Sequence, residues 1–196
     1  METIIAVLFS YLIGSISSAI IACKLMRLPD PRTSGSRNPG ATNVLRIGGK
    51  KAAAITMLGD MLKGFIPVLV AVYLDLDDTT IALVMFAAFI GHLYPVYFRF
   101  EGGKGVATFI GCLLALSWPA GCGFLITWLV VAAIFRYSSL ASLTASIIAP
   151  FYVWLFTDST TFYITAILMS LILIFRHRSN IQNLATGQES KMGKKR

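Results

Sequence analysis

TIIAVLFSYLIGSISSAIIAC, residues 3 to 23, carries no charged side chain. Wound as a helix at about 1.5 Å per residue it reaches about 31 Å, the thickness of a bilayer core. Soluble cores are built from short alternations of apolar and polar residues, so an uncharged block of this length reads as a membrane span. The only charge ahead of it is Glu2, with Lys24 and Arg27 behind. A cleaved signal sequence needs basic residues in front of its apolar run, so this segment is expected to stay, with its amino end outside. The rest of the chain agrees: of 196 residues, 56% are apolar and 13% are charged.

Charge decides the topology from there. A loop with Lys24, Arg27, Arg32, Arg37, Arg46, Lys50 and Lys51 is followed by an apolar run from about Ala52 to Leu74, and then by Asp75, Asp77 and Asp78. The next run, 79 to 98, ends at Arg99 and Lys104. Cations inside, acids outside and cations inside again is the alternation that the positive-inside rule asks for. The uncharged stretch from 105 to 135 would make about 46 Å of continuous helix, too long for one crossing. It is therefore expected to break at Ser117 to Pro119, giving a short fourth segment and a short fifth. Spans over 138 to 157 and about 160 to 175 complete an all-α, single-domain membrane bundle (residues 1–196) of about seven helices. Its amino end lies outside, with loops 24–51 and 99–104 and the tail 176–196 on the cytoplasmic side.

Three cysteines without paired spacing and two histidines support neither a disulfide framework nor a zinc site, and no metal or cofactor is expected. The net charge of +8 is that of a membrane protein whose cations lie near anionic lipid, and nucleic acid is not an expected partner. Ser10, Gly14, Gly111, Cys112 and Ala115 are small residues suited to close helix packing. Asp60 and Lys63, at i and i+3 in an apolar run, are spaced to pair and so to offset part of the cost of charge in lipid; lining a polar cavity is the other role open to them.

Three polar stretches interrupt the apolar text, and all three fall on the cytoplasmic side. In SGSRNPGATN (34 to 43), Pro39-Gly40 is expected to turn with the glycine at positive φ, and Thr42 or Asn43 to cap a helix beginning near Val44. Backbone N–H groups, the hydroxyls of Ser36 and Thr42, the amides of Asn38 and Asn43 and the guanidinium of Arg46 are anion-binding parts. In EGGKGVAT (101 to 108), Gly102, Gly103 and Gly105 allow the backbone to close around a phosphate at a helix start, and Lys104 adds a cation. This is not the nucleotide loop GxxxxGK[ST]. In FRHRSNIQNL (175 to 184), Arg176 and Arg178 also suit an ordinary basic flank of a span, whereas His177 and Asn180 are read as lying on one side of a continuing helix.

SGSRNPGATN, GGKGVAT and HRSNI, in this order and spread over seven apolar segments, resemble the bacterial acyl-phosphate-dependent glycerol-3-phosphate acyltransferases, the PlsY family. The resemblance covers nearly the whole chain. Its first motif falls on Gly35, Ser36, Asn38, Gly40, Ala41, Thr42, Asn43 and Arg46; its glycine-rich lysine loop on Gly102, Gly103, Lys104 and Gly105; its last motif on His177, Arg178 and Asn180. Ser142 also resembles a family polar position. The resemblance implies transfer of a fatty acyl group from acyl phosphate to the 1-hydroxyl of sn-glycerol 3-phosphate, giving lysophosphatidic acid and phosphate in the first acylation of phospholipid synthesis. His177, Ser36, Arg46, Asn180 and Lys104 would be catalytic. Asn38, Gly40, Thr42, Asn43, Gly102, Gly103, Gly105, Ser142 and Arg178 would bind substrate phosphate. A monomer in the bacterial inner membrane, among membrane lipids and served by the enzyme that makes acyl phosphate, is the expected setting.

The residues make sense of that chemistry independently. Both substrates carry phosphate, which calls for cations and N–H donors, and an acyl phosphate already has a good leaving group. Five residues after His92 stands Tyr97 and five after His177 stands Gln182, so the His-x4-Asp pair of the other large class of glycerolipid acyltransferases is missing. No serine–histidine–acid arrangement stands out, and direct transfer without an acyl-enzyme is expected. Between the roles open to His177, an N–H donor to phosphate is favoured over a base, because neighbouring arginines lower its basicity. The alternative, a transporter or channel for phosphorylated solutes, would need polar groups reaching both faces, and these cluster on one.

In a background without Cys23, Cys112 and Cys122, single cysteines at Gly35 and Gln182 are expected to react with an impermeant thiol reagent from the cytoplasmic side. Cysteines at Asp77 and Asp158 should react from outside. Labelling of the first pair from outside would overturn the one-faced reading.

Overall fold

The computed structural model describes residues 1–193; Lys194, Lys195 and Arg196, part of the expected basic tail, lie outside the described residues. Regular structure among the described residues is helical throughout. The chain divides into two compact units, Met1–Leu116 and Ser117–Arg196.

In the first unit, the expected continuous helix over 3 to 23 is two helices, α1 (Glu2–Gly14) and α2 (Ser18–Leu25). Serine hydroxyls offer the backbone a local alternative to the helical ladder, and here they take it. Ser15 Oγ donates to the Tyr11 carbonyl (2.8 Å), while Ser17 Oγ accepts the Ile20 N–H (3.5 Å) and caps α2. The break leaves the Ile16 carbonyl without its helical donor. Lys63 supplies one, its Nζ donating to that carbonyl at 2.7 Å. Lys63 is in turn paired with Asp60 at 2.9 Å, as the i, i+3 spacing predicts, with both side chains buried.

Helix α3 (Ala41–Tyr73) starts well before the expected apolar run at Ala52. It is interrupted at Gly49 (φ 75, ψ −174), so residues 41 to 48 form a separate short helix leading into the apolar one. Helix α4 (Asp78–Leu93) is capped by Asp77, which accepts the Thr80 N–H (3.1 Å) and hydroxyl (2.6 Å). Those bonds hold the Asp77 carboxyl below the usual carboxylate range. After a 3-10 turn at Val96–Phe98 comes α5 (Val106–Leu116), packed on α3. Two of the small residues allow backbones to touch: a Cβ at Gly14 would strike Ala88 on α4, and one at Gly111 would strike the Met61 carbonyl on α3. Ser10 Oγ reaches the Val84 carbonyl at 2.7 Å.

The second unit holds α6 (Trp118–Phe135), α7 (Ser138–Phe156), α8 (Thr160–Arg176) and α9 (Arg178–Ala185). The break at Ser117 to Pro119 lies where expected, with Pro119 in the first turn of α6. Helix α7 packs on both α6 and α8. By length and composition, five helices among the described residues are long and apolar enough to cross a membrane, or six if α8 and α9, bent by 58°, count as one span. Helix α5, at 11 residues, is short as expected. Helix α6, expected to be short, has 18 residues and is one of the five. Large apolar side chains such as Ile4, Ile126 and Ile134 are about 60% exposed, the outward surface of a protein whose solvent is lipid.

Lys63→Met leaves Asp60 as an uncompensated buried carboxylate and the Ile16 carbonyl without a donor. We expect it to cost about 3–5 kcal/mol in detergent unfolding. Asp60→Asn combined with Lys63→Met should recover much of that loss, because no lone charge remains.

Candidate active site

The first loop is built around one amide. Asn43, in the first turn of α3 and 1% exposed, accepts the Ser36 N–H at 2.8 Å and donates to the carbonyls of Pro31 (2.9 Å) and Ser34 (3.0 Å). Three points of the loop are tied to one side chain. The chain turns at Gly35 (φ 63) and Arg37 (φ 57), the left-handed region that glycine reaches at little cost. Gly40 is not at positive φ, as the Pro-Gly pair had suggested; it is the extended residue that begins α3 (φ −145, ψ 162). Its carbonyl accepts the N–H groups of Asn43 and Val44, both at 3.0 Å. The helix therefore starts at Ala41 rather than near Val44. Thr42 and Asn43 lie inside its first turn, and Asn43 holds the loop instead of capping the helix. Ser36, Arg37 and Arg46 are exposed, while Asn38 and Thr42 are half-buried.

The glycine-rich loop lies against this one. Arg32 joins them, with its guanidinium on Asp30 (2.7 Å) and on Glu101 (3.2 Å). The hydrogen bonds from Arg32 hold the Asp30 carboxyl below its usual range. A Cβ at Gly103 would lie 3.2 Å from the Pro39 carbonyl and would collide with the His92 ring. One at Gly102 would collide with the His92 and Leu93 carbonyls. The space that side chains at 102 and 103 would fill is thus taken by the end of α4, where the Gly103 N–H also donates to the His92 carbonyl at 3.1 Å. Gly105 has φ 92 and precedes α5, so its conformation is a glycine one. Lys104, half-buried, stands between these two anchored glycines.

In the second unit the expected continuing helix is bent at His177, the junction of α8 and α9, so His177 and Asn180 are not on one helix face. His177 is 4% exposed, and its Nδ1 donates to the Leu173 carbonyl at 2.9 Å. A carbonyl can only accept, so the neutral ring keeps its proton on Nδ1 and its lone pair on Nε2. Asn180 Nδ2 donates to Glu189 Oε1 (2.9 Å), and Ser139 Oγ donates to the same oxygen (2.6 Å). Arg178 is exposed, with its guanidinium 4.9 Å from the Phe175 ring. Ser142 differs from the rest: buried in α7, it accepts from Trp128 Nε1 (3.0 Å) and donates to the Ser138 carbonyl (2.8 Å). Its hydroxyl serves the α6–α7 contact.

His92 contacts Gly103, and Glu189 joins Ser139 to Asn180, contacts that sequence reasoning does not reach. The available signals were a lone histidine in an apolar run and a single acid in a basic tail. No group of three or more His, Cys, Asp or Glu side chains among the described residues is arranged to hold a metal ion.

Asn43→Asp keeps the acceptor for the Ser36 N–H but removes both donors and sets a charge beside the Pro31 and Ser34 carbonyls. Each carbonyl left without a partner costs about 1–3 kcal/mol. A lowered thermal midpoint together with near-complete loss of turnover is expected; a stable, active Asn43→Asp enzyme would remove the loop-holding role.

The family model for glycerol-3-phosphate acyltransferase matches residues 4–187. A glycerol-3-phosphate acyltransferase of Methylococcus capsulatus is 53% identical over 188 residues, covering 96% of this chain and 95% of that one. The crystal structure of PlsY (YgiH), an integral membrane glycerol 3-phosphate acyltransferase, in its glycerol 3-phosphate form, is similar at a TM-score of 0.94 and 40% identity, covering 98% of this chain and 96% of that one. Its lysophosphatidic acid form is similar at a TM-score of 0.92 and 39% identity, with the same coverage. Matched along almost its whole length in both sequence and fold, the chain belongs to the glycerol-3-phosphate acyltransferase family.

Proposed function

We propose that the protein transfers a fatty acyl group from acyl phosphate to the 1-hydroxyl of sn-glycerol 3-phosphate, releasing lysophosphatidic acid and phosphate. It works as a monomer in the bacterial inner membrane, with seven crossings, its amino end outside, and loops 24–51 and 99–104 and the carboxyl tail on the cytoplasmic side. The enzyme that makes acyl phosphate supplies its donor. The observation that carries this reading is the meeting of the 34–43 loop and the glycine-rich loop, which sets hydroxyl, amide, guanidinium and ammonium groups on adjoining segments. Two phosphate-bearing substrates need such a set.

In the reaction, the 1-hydroxyl oxygen attacks the acyl carbonyl carbon, the bond from that carbon to the phosphate oxygen breaks, and the hydroxyl proton ends on the released phosphate. The leaving group is good, so positioning and charge stabilisation supply most of the catalysis. Lys104, Arg46 and Arg178 neutralise phosphate. Ser36, Asn38 and Thr42 donate hydrogen bonds to it; the Gly40 and Gly103 N–H groups are engaged by the Asn38 and His92 carbonyls, so these glycines, with Gly102 and Gly105, shape the loops around it. Asn180, steadied by Glu189, orients substrate. The Nδ1 bond to the Leu173 carbonyl holds the ring at the end of α8. In this reading His177 carries the hydroxyl proton toward the phosphate, where sequence alone favoured an N–H donor to phosphate.

The sign of the pH dependence decides between the two roles. If His177 accepts the proton, turnover falls as pH drops and the imidazole becomes charged, and His177→Gln loses at least about 100-fold with the acidic limb gone. A role as a charged donor to phosphate would give the opposite limb, with activity lost as pH rises. We expect the acidic limb in the pH–rate profile at saturating substrates; a His177→Gln enzyme of near-normal turnover would send the proton directly to the phosphate.

A further inference from the structure

The His92 ring is buried at the end of α4 and is 6% exposed. One side of it faces Gly103, where a Cβ would collide with Nε2. On the other side, Nδ1 lies 3.8 Å from Asp60 Oδ1, an electrostatic contact rather than a hydrogen bond. Asp60 is fixed by Lys63, and Lys63 by the Ile16 carbonyl at the α1–α2 break. The backbone carbonyl of the same histidine accepts the Gly103 N–H at 3.1 Å. One residue therefore meets the glycine-rich loop twice, by ring and by main chain, and meets the buried ion pair once. Asp60 and, through it, Lys63 are charged groups beside its ring. Neither the ring nor the pair has a part in the acyl transfer derived above.

We propose that His92 is a positioning residue for the glycine-rich loop: its ring wedges between the Asp60–Lys63 pair and Gly103 and fixes where Lys104 and the neighbouring N–H groups stand. The inference rests on the reading that this loop binds substrate phosphate. A side chain that shapes a phosphate site without touching the reacting atoms should change substrate affinity more than turnover. The two ring nitrogens also have separate mimics, since an asparagine amide approximates Nδ1 and a glutamine amide approximates Nε2.

The test is steady-state kinetics for both substrates on the intact enzyme in detergent, with thermal midpoints measured in parallel. The variants are His92→Gln, His92→Asn, Gly103→Ala, His92→Ser with Gly103→Ala, and Lys104→Met. We expect Gly103→Ala to raise the Michaelis constant of at least one phosphate substrate about tenfold or more, with turnover changed by less than about threefold. The His92→Ser, Gly103→Ala pair should recover part of that loss, because the smaller side chain frees the space that the new methyl needs. His92→Gln, which keeps a polar end against Gly103, should be milder than His92→Asn. Michaelis constants within about twofold of wild type in both His92 variants, or no relief in the double variant, would overturn the positioning role. So would folded His92 variants that lose turnover alone. Lys104→Met separates the two ideas. If it leaves both Michaelis constants unchanged, the phosphate-binding reading of the loop falls and the proposal with it; if it raises one while the His92 variants do not, only the proposal falls.

Discussion

In hydrocarbon no water competes for a backbone carbonyl, so every interruption of a helix has to be answered by the protein itself. The interruption at Ser15 to Ser17 is answered by Lys63, and a buried lysine is tolerable only beside a carboxylate. Asp60 is that carboxylate. Its presence places a charge beside His92, at the end of the helix from which the glycine-rich loop hangs. The break between α1 and α2 and a loop near the chain's midpoint are thus joined through a short polar line crossing an apolar unit.

The polar groups fall into two kinds of work. Asn43 and Glu189 each use their oxygens or amide to hold segments together, the first across the 31–43 loop and the second between α7 and α9. Arg32 belongs with them, since its charge is already engaged by Asp30 and Glu101. Ser36, Arg46 and Arg178 remain at the surface. Cations committed to carboxylates inside the scaffold have little field left for a ligand, whereas exposed ones keep theirs.

The spans were legible because lipid imposes a length and forbids charge, and both can be counted along a sequence. The Asp60–Lys63 pair was legible because helical spacing alone brings i and i+3 together. The breaks were not. A serine in an apolar helix can bond back to its own turn and leave the helix intact, or cap a new one, and only neighbouring helices decide. Gly40 was assigned the turn that Gly35 and Arg37 make, because Pro-Gly is a turn signal in isolation but also suits the extended residue before a helix. The amide of Asn43 was equally fit for a ligand or for three carbonyl and N–H partners whose closeness depends on the path of the loop. For His92 nothing local separates a packing residue from a link, since Asp60 and Gly103 come from other segments.

The shared oxygen of Glu189 has a practical bearing on how the protein is handled. The family match ends at residue 187, and the last dozen residues look like a polar, dispensable appendage of the kind routinely trimmed to improve expression or crystal quality. Yet Ser139 and Asn180 converge on a carboxylate two residues beyond that limit, and the Met192 N–H reaches the Arg136 carbonyl at 2.7 Å. A boundary drawn where the family model ends would cut away a structural pin.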